Sequence, residues 1–321
     1  MKRNPILHTR PIKWIFKKSQ GMRFPGIRDV SLYVILEFFV RNTGKSELGL
    51  RASALAFTFF LALFPTAIFF FTMLAYLPVK ESHDTILLLV AETIPASAYM
   101  AIKETLEDIL KHQHASLLSI GFLSALYFSS NGFHQLMDLL NKFSHQRETR
   151  SFWKQRVISI MLAFFVSFLI LFSITLITVG SIVIDYFNKI KFFPHGIVPF
   201  LLSGLNYLVS GLIILTVIGA IYFFAPVKSR RWRFFSPGAI FATIVILLTS
   251  AGFTFYVNQF NSYNKLYGSI GVLLVIMLLV YINTYIMLLG YELNLAIELA
   301  RRQEEKNRQR RLGDNKVVFV N

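Results

Sequence analysis

The side chains able to do chemistry in this chain are few and dispersed. Seven histidines (His8, His83, His112, His114, His134, His145 and His195) are spread over 321 residues, and His112-Gln113-His114 is their one close pair. A catalytic zinc ion takes three protein ligands. Neither flank of the pair supplies a third nitrogen or carboxylate at helical spacing, so it reads as a free surface pair and no metal is expected. There is no His-Glu-x-x-His, Gly-x-Ser-x-Gly or P-loop pattern, and so no metalloprotease, hydrolase or nucleotide chemistry with a recognisable residue spacing. No catalytic residue is nominated, and neither an enzyme nor a cofactor is expected. With no cysteine, disulfides, iron–sulfur clusters and thiolate zinc sites are excluded.

What remains is polar density inside apolar stretches. Such side chains are costly in lipid and must face protein or water. Asn131 and His134 lie in one apolar stretch and Asn206 in another. Asn283, Gly290 and Asn294 share one helical stripe, and Tyr281 and Glu292 share a second, which implies packing on both sides of that helix. The Asn/Gly stripe reads as helix–helix glue in preference to a ligand site. The most unusual segment runs from Tyr256 to Gly268, where amides and tyrosines alternate around the single Lys265. It is read either as an interfacial turn with an aromatic belt or as a grip for a polar headgroup or solute. The candidate lining of a polar cavity is therefore Asn131, His134, Asn206, Asn258, Asn261, Tyr263, Lys265, Tyr267, Asn283 and Glu292.

The elements that must position these residues follow from composition. Apolar residues make up 55% of the chain and charged ones 16%, against about 25% charged in a soluble domain. Stretches free of Asp, Glu, Lys and Arg cover 52–79, 112–137, 157–184, 192–227, 234–264 and 266–291, over half the chain. A bilayer's hydrocarbon core is crossed by about 20 apolar residues in a helix, and backbone in lipid must satisfy its own hydrogen bonds. The expected fold is an all-α, polytopic membrane protein with six transmembrane helices, at approximately 52–77, 115–136, 157–184, 199–225, 237–257 and 269–291.

Basic residues set the orientation, because they are retained on the cytoplasmic side. Lys and Arg number 11 in 1–51, 5 in the second loop, 4 in the fourth and 7 in the tail; the first, third and fifth loops hold 3, 2 and 1. The alternation predicts both termini in the cytoplasm, in a multi-pass protein of a bacterial inner membrane. Strongly apolar sequence begins only at Ala52, with no short h-region and cleavage site before it, so no signal peptide is expected. The net charge of +16 is accounted for by topology and by anionic headgroups at the cytoplasmic face, and nucleic-acid binding is not expected.

Three domains result: a basic cytoplasmic arm over 1–51, the six-helix region 52–291, and a charged cytoplasmic tail over 292–321. In the arm, Val30–Val40 is too short to span and reads as an interfacial helix under the headgroups. Pro65, near the middle of the first span, predicts a bend or local break and is a candidate hinge, though a kink packed by neighbours is the commoner outcome. The outer segment places Ala98, Ile102, Leu106, Ile109 and Leu110 on one helical face and Lys103, Glu104, Glu107, Asp108 and Lys111 on the other. That amphipathic helix covers the outer mouth of the bundle or lies on the membrane surface. Ser236-Pro237-Gly238 reads as an N-cap followed by a proline in the first helical position.

The chain resembles the YihY/BrkB family of bacterial inner-membrane proteins, once labelled ribonuclease BN. The likeness runs from about Leu48 to Ala296. It is carried by Ala54-Leu55-Ala56-Phe57 with Leu63-Phe64-Pro65, by Asn141 and the basic loop to Arg156, by Pro226 with Arg231, and by Pro237-Gly238-Ala239. Its strongest parts are Tyr263 to Gly271 and Leu289-Gly290-Tyr291-Glu292-Leu293-Asn294. Leu279 stands where the family usually has Trp, and Tyr291 where it has Ala. The resemblance implies a six-helix inner-membrane protein and no established activity. The expected function is transport or lipid handling through a polar intramembrane cavity, with a lipid or small solute as substrate. A scaffold for an envelope protein partner is the alternative, and a ribonuclease is the least favoured reading.

Overall fold

The computed structural model describes residues 23–24, 27–43, 47–76, 87, 96–112, 114–144, 147–190, 197–227, 234–259 and 261–318. A two-stranded antiparallel hairpin, β1 (Arg23–Phe24) and β2 (Ile27–Ser31), opens the described chain. Eight helices follow: α1 (Leu32–Thr43), α2 (Leu48–Leu74), α3 (Ala96–Lys111), α4 (Ala115–Phe143), α5 (Phe152–Ile190), α6 (Ile197–Phe224), α7 (Pro237–Gln259) and α8 (Asn261–Val318). The described residues are all-α apart from that hairpin. Three stretches, Leu48–Met73, Phe152–Ser173 and Leu273–Gln309, are long and apolar enough to cross a membrane, and Leu208–Phe224 and Pro237–Phe253 are shorter apolar helices. The expected spans 115–136, 157–184, 237–257 and 269–291 each fall within one helix, and the other two are helical over 52–74 and 199–224.

The large helices close a ring in chain order. α2 packs on α4, α4 on α5, α5 on α6, α6 on α7 and α7 on α8, and α8 returns to α2. One end of the ring is filled by a continuous apolar core drawn from all six helices. It includes Leu55 of α2, Leu136 and Leu140 of α4, Leu162 of α5, Ile221 of α6, Ala242 of α7 and Leu288 of α8. Away from this plug the helices turn large apolar side chains outward: Leu123, Met161, Phe168 and Leu248 are each more than 60% exposed. Single exposed apolar residues are unremarkable in soluble proteins, whereas a continuous apolar belt marks a lipid or protein contact.

Small residues let the ring close. A Cβ on Gly132 would sit 2.8 Å from the Phe59 ring of α2. α7 and α8 meet backbone to backbone, since a Cβ on Gly290 would lie 2.6 Å from the Gly238 carbonyl oxygen and 2.7 Å from the Tyr222 hydroxyl. Glycine at such a crossing allows an approach that any other residue blocks.

Several local expectations change. α2 runs unbroken through Pro65 from Leu48 to Leu74, so there is no local break: neighbouring packing and lipid-like surroundings tolerate a proline inside a spanning helix. α1 packs against α8. Ile35 is buried against Ile297 and Ala300, with Val34, Phe38 and Leu293 around them, because α8 continues beyond the ring and offers α1 an apolar stripe. The segment 256–268 is helical up to Gln259 and again from Asn261.

Candidate functional site

Two polar clusters and two isolated buried polar atoms lie in or beside the plug. The first cluster joins α7 to α8. Asn294 Oδ1 accepts from the Gly238 backbone N–H at 2.7 Å, and its Nδ2 donates to Ser236 Oγ at 2.8 Å. Ser236 Oγ also accepts from the Ala239 N–H at 3.3 Å, the N-cap arrangement that satisfies an orphan donor of the first turn. One amide therefore closes the N-terminus of α7 from the neighbouring helix. Beside it the Tyr222 hydroxyl donates to the Met287 carbonyl.

The second cluster ties the end of α4 and the following loop to the end of α6. Arg150 forms a two-pronged pair with Glu148, Nε to Oε1 and Nη2 to Oε2, both at 2.8 Å. Arg150 Nη2 also donates to the Ala225 carbonyl at 2.7 Å, supplying a carbonyl that the end of a helix leaves unsatisfied. Asn141 Nδ2 donates to Glu148 Oε2 at 2.6 Å, and its Oδ1 accepts from the Val227 N–H at 2.9 Å. Burial pushes the Glu148 carboxyl up, but the hydrogen bonds and charge of Arg150, with the Asn141 bond, outweigh it and hold the group below its ordinary value of 4.5.

Four of the ten expected cavity residues have described side chains. Asn131 and His134 are half-buried, one turn apart on α4. His134 Nδ1 is buried without a hydrogen-bond partner among the described residues, and the ring stands edge-on to Phe152 at 6.3 Å. On α8, Asn283 Oδ1 is likewise buried without a partner, while Glu292 is buried at 3% exposure and engaged in polar or ring interactions. Asn206, Asn258, Asn261, Tyr263, Lys265 and Tyr267 sit on helical backbone, and their side chains lie outside the described residues. The Gly290/Asn294 stripe is glue, as its spacing favours. Sequence reasoning passed over Glu148 and Arg150, whose partners lie 74 and 75 residues away along the chain or across a short loop.

At the far end of α4 the histidine pair is not free of a third ligand. Asp108, one turn before His112 on α3, places Oδ1 3.0 Å from His112 Nδ1 and Oδ2 3.3 Å from His114 Nε2. The signal was the i,i+4 spacing of Asp108 and His112. Asp108 had been read only as part of a charged helix face.

A chain with a ring of apolar helices, an outward apolar surface and glycine-mediated crossings belongs to the class of integral membrane proteins. Among known families, the one described as Virulence factor BrkB matches residues 39–313, and the protein belongs to it. It is 34% identical over 278 residues to the ribonuclease-like protein YfkH of Bacillus subtilis, covering 84% of this chain and 97% of that protein. A UPF0761 membrane protein of Pseudoalteromonas atlantica is 24% identical over 285 residues, 85% of this chain and 89% of the relative. Another, Cpha266_1653 of Chlorobium phaeobacteroides, is 26% identical over 313 residues, 88% of this chain and 64% of the relative. No solved structure matches the chain.

Proposed function

We propose that the protein crosses a bacterial inner membrane six times, with both termini in the cytoplasm, and moves a lipid or small polar solute along the ring interior. The observation that carries this reading is the pair of buried, unpartnered polar atoms, His134 Nδ1 and Asn283 Oδ1. They lie on two helices of the ring, in the stretches of α4 and α8 that also supply its apolar plug. A buried polar atom without a hydrogen bond costs about 1–3 kcal/mol, and a membrane protein retains such atoms where a ligand or water meets them. Asn131, Asn206, Asn258, Asn261, Tyr263, Lys265, Tyr267 and Glu292 extend the polar lining in this reading. Pro65 is its hinge, since a proline within α2 leaves one backbone carbonyl without its helical donor.

In this reading the plug seals the cytoplasmic end, where the clusters around Asn141 and Asn294 clamp the helix ends, and Asn206 and the segment 256–268 lie towards the outer end. The test is a vesicle assay with the purified chain in phosphatidylethanolamine/phosphatidylglycerol liposomes, following translocation of a fluorescent phospholipid from one leaflet to the other. Wild-type protein accelerates translocation over empty liposomes, and a variant carrying Asn261→Ala, Lys265→Ala and Asn283→Ala loses that acceleration while reconstituting equally well. Unchanged translocation by the variant, with solute uptake also unchanged, counts against the assignment.

A scaffold role has one observation in its favour. α8 carries an exposed charged stretch beyond the ring, from Arg302 to Lys306, suited to a partner in the cytoplasm. Crosslinking from Arg308 or Glu104 that captures the same envelope protein in cells tests it. The printed name of YfkH makes RNA cleavage a third reading; purified protein freed of contaminating nuclease is expected to leave RNA intact.

A further inference from the structure

We infer that Asp108, His112 and His114 form a binding site for a borderline divalent transition-metal ion, with Zn²⁺ the expected occupant, which staples α3 to the start of α4. Their ligand atoms all lie within 4.8 Å of one another. This inference is independent of what the protein transports.

The spacing places the three groups before any ion arrives. Asp108 and His112 are one helical turn apart at the C-terminal end of α3, and His112 keeps its backbone bond to the Asp108 carbonyl at 3.1 Å. His114 is the residue that precedes the first turn of α4. Its side chain makes no capping bond to that helix, and its ring is directed at the Asp108 carboxylate. The three ligands thus come from the last turn of α3 and the three-residue connection, 112–114, that leads to α4, and the chelate spans the joint.

The distances suit a metal. Ligands about 2.0–2.2 Å from a tetrahedral Zn²⁺ stand roughly 3.4 Å from one another, and the two nitrogen–oxygen separations here are 3.0 and 3.3 Å. The His112–Asp108 contact alone is an ordinary hydrogen bond. The His114 contact is not: Nε2 is buried and makes no hydrogen bond, although a carboxylate oxygen is 3.3 Å away. A cation between the two would give the buried nitrogen a partner.

Ligand type narrows the ion. Two imidazoles with one carboxylate suit Zn²⁺, Co²⁺, Ni²⁺ or Cu²⁺, whereas Ca²⁺ and Mg²⁺ take oxygen ligands. Three protein ligands leave a fourth position for water or for a group from outside. Asp108 and His112 are exposed, so an ion in bulk solvent reaches the site directly. Leu106 and Leu110, on the other side of α3, are buried with Leu87 against Phe71 of α2. An ion bound at the joint therefore fixes a helix already seated on the far end of α2.

The test uses the full chain in detergent, without a histidine tag, titrated with Co²⁺ as a spectroscopic probe and then with Zn²⁺. Wild-type protein is expected to bind one Co²⁺ per chain with the intense visible absorption of a low-symmetry site, and Zn²⁺ should displace it. Asp108→Asn, His112→Ala and His114→Ala should each weaken binding at least tenfold, while Glu104→Gln, an exposed carboxylate on the same helix, should leave it unchanged. Gel-filtration profiles matching wild type establish that the variants are folded. Absence of stoichiometric binding, or binding undiminished in well-folded His112→Ala and His114→Ala, overturns the inference.

Discussion

Asn294 illustrates how much one side chain can hold when it is buried. Replacing it with alanine leaves the Gly238 N–H without its acceptor, at a cost of about 1–3 kcal/mol, and removes one of the two donors to Ser236 Oγ, at about 0.5–1.5 kcal/mol. Asn294→Ala should therefore lose about 2–4 kcal/mol, read as a lower thermal transition of the purified protein. Gly290→Ala acts in the same place by collision with Gly238 and Tyr222, and overpacking of that kind costs about 1–3 kcal/mol or more. Glu148 gives the pH dependence. Its carboxyl is held below the ordinary value by Arg150 and Asn141 against the pull of burial, so the folded state favours the charged form. That contribution is complete above the unfolded value near 4.5 and disappears as pH falls through the lower folded value. Glu148→Gln should flatten the acid side of the stability profile and leave its slope near neutrality untouched; an unchanged acid side contradicts the clamp. Sequence spacing made Gly290 and Asn294 visible as a stripe. Their partner was not legible, since nothing local says that Gly238, over 50 residues earlier, is what the stripe faces.

The helices were the most legible elements, because charge-free length is a direct consequence of lipid as solvent. Ser236 and Pro237 marked the start of α7 correctly, for cap chemistry is local. α1 was less legible. Its apolar residues fit headgroups or protein equally well, and the choice depends on α8 continuing past Glu292 to present Ile297 and Ala300. Ala300 is fully buried, so Ala300→Arg should detach α1 without disturbing the ring. Limited proteolysis near Thr43 should then become at least severalfold faster while the melting transition of the ring changes little; unchanged cleavage contradicts the packing. In the segment 256–268, which the sequence marks by its tyrosines and amides, the backbone is helical up to Gln259 and again from Asn261.

In the molecule as a whole, the ring closes in chain order and gathers the ends of α4 and α6 and the starts of α2, α5 and α7 at one end. Arg51 stands 4.8 Å over the Phe143 ring, Val227 bonds Asn141, and Gly238 bonds Asn294. These are the connections that carry most of the lysine and arginine, so charge count and packing group the same segments without reference to each other. The closure itself, α8 returning to α2, was beyond the sequence, because apolar spans are interchangeable in composition and only small-residue contacts decide which pairs meet. The arrangement stands or falls on where these connections lie. The chain contains no cysteine, so single cysteines at Glu104, Asn188, Arg147, Ser229 and Gln303 report location without background. With an impermeant maleimide applied to intact spheroplasts, the positions at Glu104 and Asn188 should label at once, and those at Arg147, Ser229 and Gln303 only after permeabilisation. Labelling of Gln303 from outside, or protection of Glu104, would contradict a six-crossing ring with its basic loops in the cytoplasm.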